Sequence, residues 1–250
     1  MESIPNMPEK KHNAFAEGEQ WLEERGFNLR VVVDPCTFPE SLAAVWDKTG
    51  IPRTPSERLV LLGMGGPGLW EWMNVQGLSD PDPFDELSRR AALEVCERFW
   101  GDSSPKVLYP GEALIPLQQL GRFAGWSVPS PLGLDISPVY GPWFAFRAAF
   151  LTRSALPVTD ISPAMSPCDT CQDTPCIQAC PVGAVKRDEA LDRERCLEQR
   201  FADQRGCGIQ CHSRLACPIG IKWRYPQRQL HYHGQRSLQS LLTWKQASGR

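Results

Sequence analysis

The chain lacks the features of a secreted or membrane protein. Its start, MESIPNMPEKKHNAFAEGEQ, has no apolar core, so no signal peptide is expected. It also has no run of about 18 apolar residues, so no membrane span and no membrane partner are expected. We therefore expect the thiols of the chain to lie in a reducing cytoplasm, where disulfides are rare.

The usual motifs of hydrolases and nucleotide-binding enzymes are also missing. There is no P-loop, no H-E-x-x-H and no Ser-His-Asp set. A literal G-x-G-x-x-G occurs at 63–68, but Pro67 disturbs the phosphate turn. The acids about 20 residues later, Asp85 and Glu86, fall in a predicted helix instead of at a strand end. We interpret this motif as a tight turn.

What the chain does contain is a concentration of cysteine in its last third. Two runs each end in Cys-Pro, and the first reads C-x2-C-x4-C-x3-C-P. The eight cysteines of this region are Cys168, Cys171, Cys176, Cys180, Cys196, Cys207, Cys211 and Cys217. A [4Fe-4S] cluster takes four thiolates, and the bacterial two-cluster pattern is C-x2-C-x2-C-x3-C-P. The pattern therefore predicts two [4Fe-4S] clusters.

The spacing also predicts which thiols share a cluster. The two cysteines of a C-x2-C pair bind the same cluster, and a third cysteine a few residues later binds it as well. The fourth cysteine of the run ligates the other cluster. Proline after the fourth cysteine suits that crossing, because it leaves no backbone N–H unsatisfied at the bend. The predicted first set is Cys168, Cys171, Cys176 and Cys217. The predicted second set is Cys180, Cys196, Cys207 and Cys211.

Other uses of these thiols stay open at this point. Four residues instead of two separate Cys171 from Cys176, so one cluster could be altered or lost. Structural zinc and disulfides are the alternatives, and both are less favoured than clusters. Cys36 and Cys96 lie apart from the runs, and we interpret them as small core residues.

The charge of the chain is uneven although its net value is only −2. Residues 1–185 hold 14 basic and 23 acidic side chains, whereas residues 186–250 hold 13 and 6, a local charge of +7. Iron-sulfur clusters bound by four thiolates are anions, so the basic surround favours charge compensation. A binding face for nucleic acid or for an acidic partner is the less favoured alternative.

The first part of the chain predicts an α+β domain. Helical patterns at 13–25, 38–47, 84–100 and 114–123 alternate with strand-like runs at 29–33, 59–62 and 106–109. Residues 132–136 and 143–151 predict two paired strands joined by a turn rich in proline and glycine. A segment rich in proline and serine, 154–167, then leads to the cysteines. We place an α+β domain at 1–155 and a two-cluster domain with a C-terminal extension at 156–250.

The cysteines and the segment before them resemble a known family. Residues 124–151, AGWSVPSPLGLDISPVYGPWFAFRAAFL, are similar to the segment that precedes the double-cluster domain of epoxyqueuosine reductases and their reductive dehalogenase relatives. They also resemble the cobalamin-decyanating chaperones of the methylmalonic aciduria type C family, which share the Trp-Phe-Ala-x-Arg core present here at 143–147. The likeness covers roughly residues 105–225.

The resemblance implies a nitroreductase-like domain that holds a cobalamin, followed by a ferredoxin-like domain with two [4Fe-4S] clusters. Electrons would enter from a donor such as a flavodoxin or a ferredoxin reductase and pass through the clusters to cobalt. Tyr140, Trp143 and Arg147 are the candidate cobalamin residues. The alternative is an electron carrier or cofactor-handling protein without a substrate of its own.

One departure from the reductase pattern bears on the reaction. The reductases have an aspartate upstream of the Ala-Gly step, which is thought to donate a proton. The corresponding stretch here, YPGEA at 109–113, has no aspartate, and Glu112 is the candidate catalytic carboxylate. An exposed carboxylate in a loop is the favoured alternative for this residue. We therefore do not expect this chain to make queuosine, and its small-molecule substrate is open.

Overall fold

The longest apolar runs of the sequence form a four-stranded sheet. In the computed structural model, which describes residues 9–77 and 82–248, the strand order is β1-β2-β4-β3. The strands are β1 (Leu29–Val33), β2 (Arg58–Gly65), β3 (Lys106–Tyr109) and β4 (Phe144–Thr152). β1 is antiparallel to β2, and β3 is antiparallel to β4. The first eight residues of the stretch examined for a signal peptide lie outside the described residues.

The chain divides into two units that alternate along the sequence. The first, which we call the sheet unit, consists of Met1–Ala124 and Ala145–Ser162. The second, the cysteine unit, consists of Gly125–Phe144 and Pro163–Arg250. The mixture of helix and sheet is the α+β composition that the sequence predicts. The functional domains placed at 1–155 and 156–250 stay a prediction.

Five α-helices accompany the sheet in the described part of the first unit, residues 9–77, 82–124 and 145–162. They are α1 (Glu9–Glu23), α2 (Glu40–Asp47), α3 (Gly68–Gln76), α4 (Pro83–Val95) and α5 (Leu117–Phe123), and a π-helical turn, Cys96–Trp100, continues α4. α4 begins with Pro83 at its first position, where the missing N–H costs nothing. Trp46, Leu62 and Phe150 are fully buried, so this unit has a dense apolar core.

The predicted hairpin of 132–136 and 143–151 is wrong. Ile136 makes only an isolated bridge to Val128, and Ser137 bridges to Gly141. β4 instead lies between β2 and β3 in the sheet. Residues 129–138 contain three prolines, which cannot donate to a strand ladder, so no strand forms there. Proline also delays two predicted helices, because α2 and α5 begin only after Pro39 and Pro116.

The glycine-rich turn is held by the protein's own groups. Gly66 has a φ of 76° between β2 and α3, a value that favours glycine. The Asn28 side-chain amide donates to the Gly65 carbonyl at 2.9 Å and accepts from the Gly65 N–H at 2.7 Å. Gly26 packs against the Leu69 backbone so closely that a Cβ would clash. The start of α3 is therefore covered by backbone, and no parallel βαβ unit joins β1 and β2.

The cysteine unit consists of loops, short helices and one long helix. The helices are α6 (Pro175–Gln178), α7 (Arg193–Ala202), α8 (His212–Ala216) and α9 (Gln227–Ser248). Its buried apolar side chains include Trp143, Val185 and Tyr225. Within the described residues, no helix combines the length and the apolarity that crossing a membrane requires.

Candidate functional site

The eight predicted ligands lie at loops and at helix ends of the cysteine unit. Cys176 is in α6, Cys196 is in α7, and Cys211 and Cys217 flank α8. Such positions leave the thiols free of strand or long-helix packing. Cys211 is exposed, whereas Cys217 is buried, so thiols of the same run differ in their access to solvent.

Four of the thiols are neighbours around Cys168. Burial raises the pKa of Cys168, and the thiols of Cys217, Cys176 and Cys171 raise it further. Burial also raises the pKa of Cys217, with contributions from Cys176 and Cys171. We call this group the first thiol set. Cys217 comes from the second Cys-Pro run, so the set draws on both runs.

The other four thiols form a second group. Burial raises the pKa of Cys196, and the thiols of Cys211 and Cys180 raise it further. The pKa of Cys207 is raised by burial, by Asp203 and then by the same two thiols and Cys196. We call Cys180, Cys196, Cys207 and Cys211 the second thiol set. The structure thus brings the thiols together in the two groups that the spacing predicts, and cluster binding by them stays a prediction.

Cys180 is surrounded by hydrogen-bond donors. The backbone N–H of Ala184 donates to its Sγ at 3.3 Å. Burial raises the pKa of Cys180, but the N–H groups of Val182, Val185 and Ala184 and the Ser213 hydroxyl outweigh burial, so this pKa lies below its ordinary value. A metal ligand has to be a thiolate, and hydrogen bonds to sulfur tune cluster potentials. The loop after Cys180 therefore fits a ligating thiolate.

A cavity of about 380 Å³ lies at the second thiol set. All four thiols of the set line it, together with apolar side chains that include Leu132, Val185, Leu191 and Ile209. Polar side chains line the same space, among them Arg200, His212 and Ser213. Four thiols with both apolar and cationic neighbours are suited to an anionic inorganic cluster, because the surrounding groups set its potential.

The thiol sets are not arranged for a single metal ion. In residues 9–77 and 82–248, no group of three or more His, Cys, Asp or Glu side chains lies close enough together to hold one ion. A cubane places four irons and four sulfides between its thiolates, so its ligands stand farther apart than those of one tetrahedral ion. Thiols that affect one another's pKa without converging on one point are compatible with a cubane.

Arg147 lies in the sheet unit, where β4 changes from half-buried to buried residues. Its guanidinium stands over the Phe84 ring at 4.6 Å. Burial raises the pKa of Tyr109, while the charge of Arg147 lowers it and that of Asp85 raises it, so these side chains are neighbours. The buried Nε of Arg147 makes no hydrogen bond to any described residue. An unsatisfied buried N–H is uncommon in proteins and is available to a ligand acceptor.

The other two candidate cobalamin residues belong to the cysteine unit. Tyr140 is half-buried, and its ring lies 5.1 Å from that of Trp223. Trp143 is fully buried, with the Arg214 guanidinium 4.8 Å from its ring centroid. Arg214 also donates to the Pro142 carbonyl at 2.7 Å. Trp143 is thus part of the core of this unit, whereas Tyr140 retains an accessible face.

Glu112 is exposed in the loop that follows β3. It makes no hydrogen bond or ion pair with any residue in the described part of the chain. The loop is held by Arg89, which donates to the Pro110 carbonyl at 2.9 Å. Glu112 is therefore a solvent-facing carboxylate on an ordered loop, and its catalytic role stays a prediction.

Three further residues contribute to the sites without having been predicted. Ser213 donates to Cys180, and Arg200 lowers the pKa of Cys196. Tyr109 lies beside Arg147. Arg200 follows Cys196 by one helical turn, a spacing that the sequence contains. No sequence pattern indicates Ser213 or Tyr109, because tertiary folding brings them to their partners.

The fold and the two thiol sets define the class of protein that the chain resembles. No protein-family model matches the sequence, and no curated protein sequence matches it. Solved structures do match, and they are epoxyqueuosine reductases and a B12-trafficking protein. The predicted resemblance to these two families is confirmed at the level of the fold.

Three structures illustrate the likeness. Epoxyqueuosine reductase from Bacillus subtilis is 14% identical with a TM-score of 0.56, and the match covers 85% of this chain and 67% of that one. An epoxyqueuosine reductase with an epoxyqueuosine-modified tRNA-Tyr stem loop is 14% identical with a TM-score of 0.55, covering 86% and 68%. The B12-trafficking protein CblC from C. elegans is 14% identical with a TM-score of 0.51, covering 95% and 97%. At these identities the likeness shows the fold alone.

Proposed function

We propose that the chain is an iron-sulfur oxidoreductase that passes electrons through two [4Fe-4S] clusters to a cobalamin held by a nitroreductase-like N-terminal domain. The observation that carries the proposal is the grouping of eight thiols into two sets of four, each drawn from both Cys-Pro runs. Four thiolates per cluster and an exchanged fourth ligand are the features of a ferredoxin-like two-cluster domain.

The residues of the cysteine unit would hold and tune the clusters. When bound, the clusters would supply one-electron transfer. The N–H groups near Cys180 stabilise the thiolate form of that ligand, and Ser213 adds a hydroxyl donor. Arg200 places a positive charge beside Cys196 and donates to the Gly208 carbonyl at 2.8 Å. This charge offsets part of the negative charge of the four thiolates.

The cobalamin side of the proposal rests on Arg147 and Tyr140. The unsatisfied Nε of Arg147 beside Phe84 would donate to a polar group of the corrin periphery. Tyr140 would offer an aromatic face and a hydroxyl, and Trp143 would fix the segment by packing. Glu112 is the proposed proton donor to the substrate, a role for which a bound substrate would have to cover its exposed carboxylate. The substrate class stays open.

A carrier or cofactor-handling protein without its own substrate is the second candidate. The observation that favours it is the exposure of Glu112, because the described residues provide no buried site for this carboxylate. The likeness to the B12-trafficking protein agrees with this candidate. A protein that handles cobalamin would need the Arg147 site but no proton donor at Glu112.

The proposal is tested by an anoxic preparation of the full chain. We expect a brown protein with about eight irons and eight sulfides per chain, and retention of hydroxocobalamin on a desalting column. Arg147→Ala should release the corrin without loss of iron, whereas Arg90→Ala, which removes an exposed arginine of the same unit, should not. Colourless protein without iron or acid-labile sulfide would falsify the cluster proposal, and free passage of the corrin would end the cobalamin proposal.

Turnover separates the two candidate functions. With a reduced donor and candidate substrates, Glu112→Gln should lower the rate of an oxidoreductase by about 10²-fold or more, as is typical for loss of a general acid. Iron content and corrin retention should stay unchanged in this variant. If wild type and Glu112→Gln retain the corrin but neither turns over any substrate, the cofactor-handling role is the better account.

A further inference from the structure

A groove of about 580 Å³ lies between α9 and residues 204–209. Its apolar floor is formed by Ile209, Leu238 and Leu242, and its lining contains the basic side chains of Arg205 and Arg236. Ile209 also lines the cavity of the second thiol set. The groove and the space in which the second cluster would lie therefore share Ile209 as a lining residue.

The groove is adjacent to the more accessible of the two thiol sets. In the second set Cys211 is exposed, whereas Cys217 of the first set is buried. α9 lies directly on the loop between Cys207 and Cys211, because Gly234 meets the Ile209 carbonyl so closely that a Cβ would clash. Arg200 joins these elements by donating to the Gly208 carbonyl at 2.8 Å and to the Ser237 hydroxyl at 3.1 Å.

The charge of the groove has one sign. From residue 204 to residue 248 the chain contains seven lysines and arginines and no aspartate or glutamate. The acid next to this segment, Asp203, does not line the groove. Its carboxylate accepts hydrogen bonds from the backbone N–H groups of Gly206 and Cys207 at 3.0 and 2.9 Å. Like-sign groups around an apolar floor attract a partner of opposite charge.

We propose that this groove is the docking surface for the electron donor, a small acidic one-electron carrier protein of the flavodoxin or ferredoxin kind. The inference rests on the proposed function, because it assumes a cluster at the second thiol set. One electron would leave the reduced carrier and enter that cluster past Ile209. The carrier is thereby oxidised by one electron, the cluster is reduced by one electron, and no bond forms or breaks.

The lining of the groove favours a protein over a nucleic acid. An apolar centre with charged groups around it is the usual composition of a protein interface. Single-stranded nucleic acid is bound by aromatic side chains on which bases stack, and the described lining of this groove contains no Phe, Tyr or Trp. Phosphate backbones are followed by longer rows of lysine and arginine than the two arginines present here.

The test uses the full chain prepared anoxically, a purified acidic flavodoxin as the probe, and two charge variants of the groove. Arg205→Glu reverses an exposed charge of the lining, and Gln235→Glu adds an acid of nearly the same shape. Gln246→Glu is the matched control, because it makes the same change at an exposed position of α9 that does not line the groove. Association rates are measured at low and high salt, together with reduction of the clusters by flavodoxin and by dithionite.

We expect Arg205→Glu to lower the association rate by about tenfold at low salt, and Gln235→Glu by about threefold, with both differences shrinking at high salt. Gln246→Glu should bind as wild type does. Dithionite, which needs no docking surface, should reduce all four proteins alike. Equal far-ultraviolet circular dichroism spectra and equal iron contents then exclude misfolding as the cause.

Two outcomes overturn the proposal. In the first, both groove variants bind flavodoxin as fast as wild type. In the second, Arg205→Glu abolishes binding of an RNA stem loop but leaves flavodoxin binding unchanged, which makes the groove a nucleic-acid site. Iron and sulfide analysis of the same preparations separates these results from failure of the proposed function. A protein with two clusters and normal binding in the groove variants refutes the docking surface alone.

Discussion

The two units of the molecule are stabilised by different means. In the sheet unit, β2 is buried along nearly its whole length, and side chains as large as Trp46 and Phe150 are fully buried. In the cysteine unit, α6 and α7 bury no residue and α8 buries only Ser213. Its cysteines are all free thiols. A unit with so little buried apolar surface gains little from the hydrophobic effect, and small scaffolds of this kind usually rely on metals or disulfides.

Removing iron is expected to have the largest effect on stability, and we expect this effect in the cysteine unit only. After anoxic chelation, α7, α8 and α9 should lose most of their protection from hydrogen exchange, because metal binding and folding are coupled in small metal domains. The four strands of the sheet unit should keep theirs. Hydrogen exchange followed by mass spectrometry measures the protection of both units in one experiment. An iron-free protein in which α7 stays protected would contradict the idea that iron stabilises the cysteine unit.

Single cysteine variants sharpen the same prediction. Cys196→Ala should lose about half of the iron, because it removes a ligand of one of the two proposed four-iron clusters. Cys36 is exposed in the sheet unit, so its interpretation as a core residue is wrong, whereas Cys96 is buried as predicted. Cys36→Ala is therefore the matched control, and it should lose no iron. Iron and sulfide per chain are the measured quantities.

A core substitution in the sheet unit should have the opposite effect, a loss of stability without a loss of iron. Leu62→Ala should lower the free energy of unfolding of that unit by about 2–5 kcal/mol, because Leu62 is fully buried in β2. The iron content of the folded protein should not change. Val75→Ala, at a position that is 83% exposed, should cost less than about 0.5 kcal/mol. Denaturant unfolding followed by tryptophan fluorescence checks both, and loss of iron in Leu62→Ala would show that the units do not have independent stabilities.

Gly234→Ala separates helix propensity from close packing in the cysteine unit. In an open helix this change stabilises by about 0.5–1 kcal/mol. Here the new methyl group would meet the Ile209 carbonyl, so we expect a loss of about 1–3 kcal/mol and an altered visible spectrum of the second cluster. Ser240→Ala, an exposed change on the same helix, should stay within about 0.5 kcal/mol. If Gly234→Ala stabilised the protein, α9 would not be in close contact with the Ile209 carbonyl.

The smallest expected effect concerns pH and the sheet unit. Burial acts to raise the pKa of Asp102, but donors from Thr152, Ser104 and Arg153 outweigh it, so this pKa lies below its ordinary value. Its stabilisation is therefore present above the unfolded-state pKa of about 3.9 and is lost as pH falls through the lower folded-state value. Asp102→Asn should cost about 1 kcal/mol or less at pH 7, with a smaller difference at pH 3. A constant difference between pH 7 and pH 3 would contradict this account.

Much of the sheet unit was predictable because its elements follow local rules. β1 and β3 have the predicted bounds, since each is a short apolar run between breaks. The strand at 143–151 was predicted correctly, but its pairing partner was not. The sequence of a strand does not specify which other strands it pairs with. The π-helical turn at the end of α4 was not predicted, because the sequence pattern of 84–100 indicates one continuous α-helix.

In the cysteine unit the spacing predicted the grouping of the thiols but little of their surroundings. The Cys-Pro bend predicts that the last thiol of each run, Cys180 or Cys217, joins the other set, and the structure brings these thiols together in that way. The donor from Ser213 and the close contact of Gly234 depend on long-range packing, which spacing does not encode. The burial of Trp143 was open for the same reason, because an aromatic residue at a strand end can face a ligand or a core.

The alternation of the two units along the chain has a consequence for biosynthesis. Trp143 belongs to the cysteine unit, and its ring packs at 5.7 Å against that of Tyr225. Tyr225 is translated about 80 residues later, roughly 4–16 s at ordinary ribosomal rates. During that interval the nascent polypeptide carries a large indole without its final neighbours, so the core of the cysteine unit around Trp143 forms only after Tyr225 has been added.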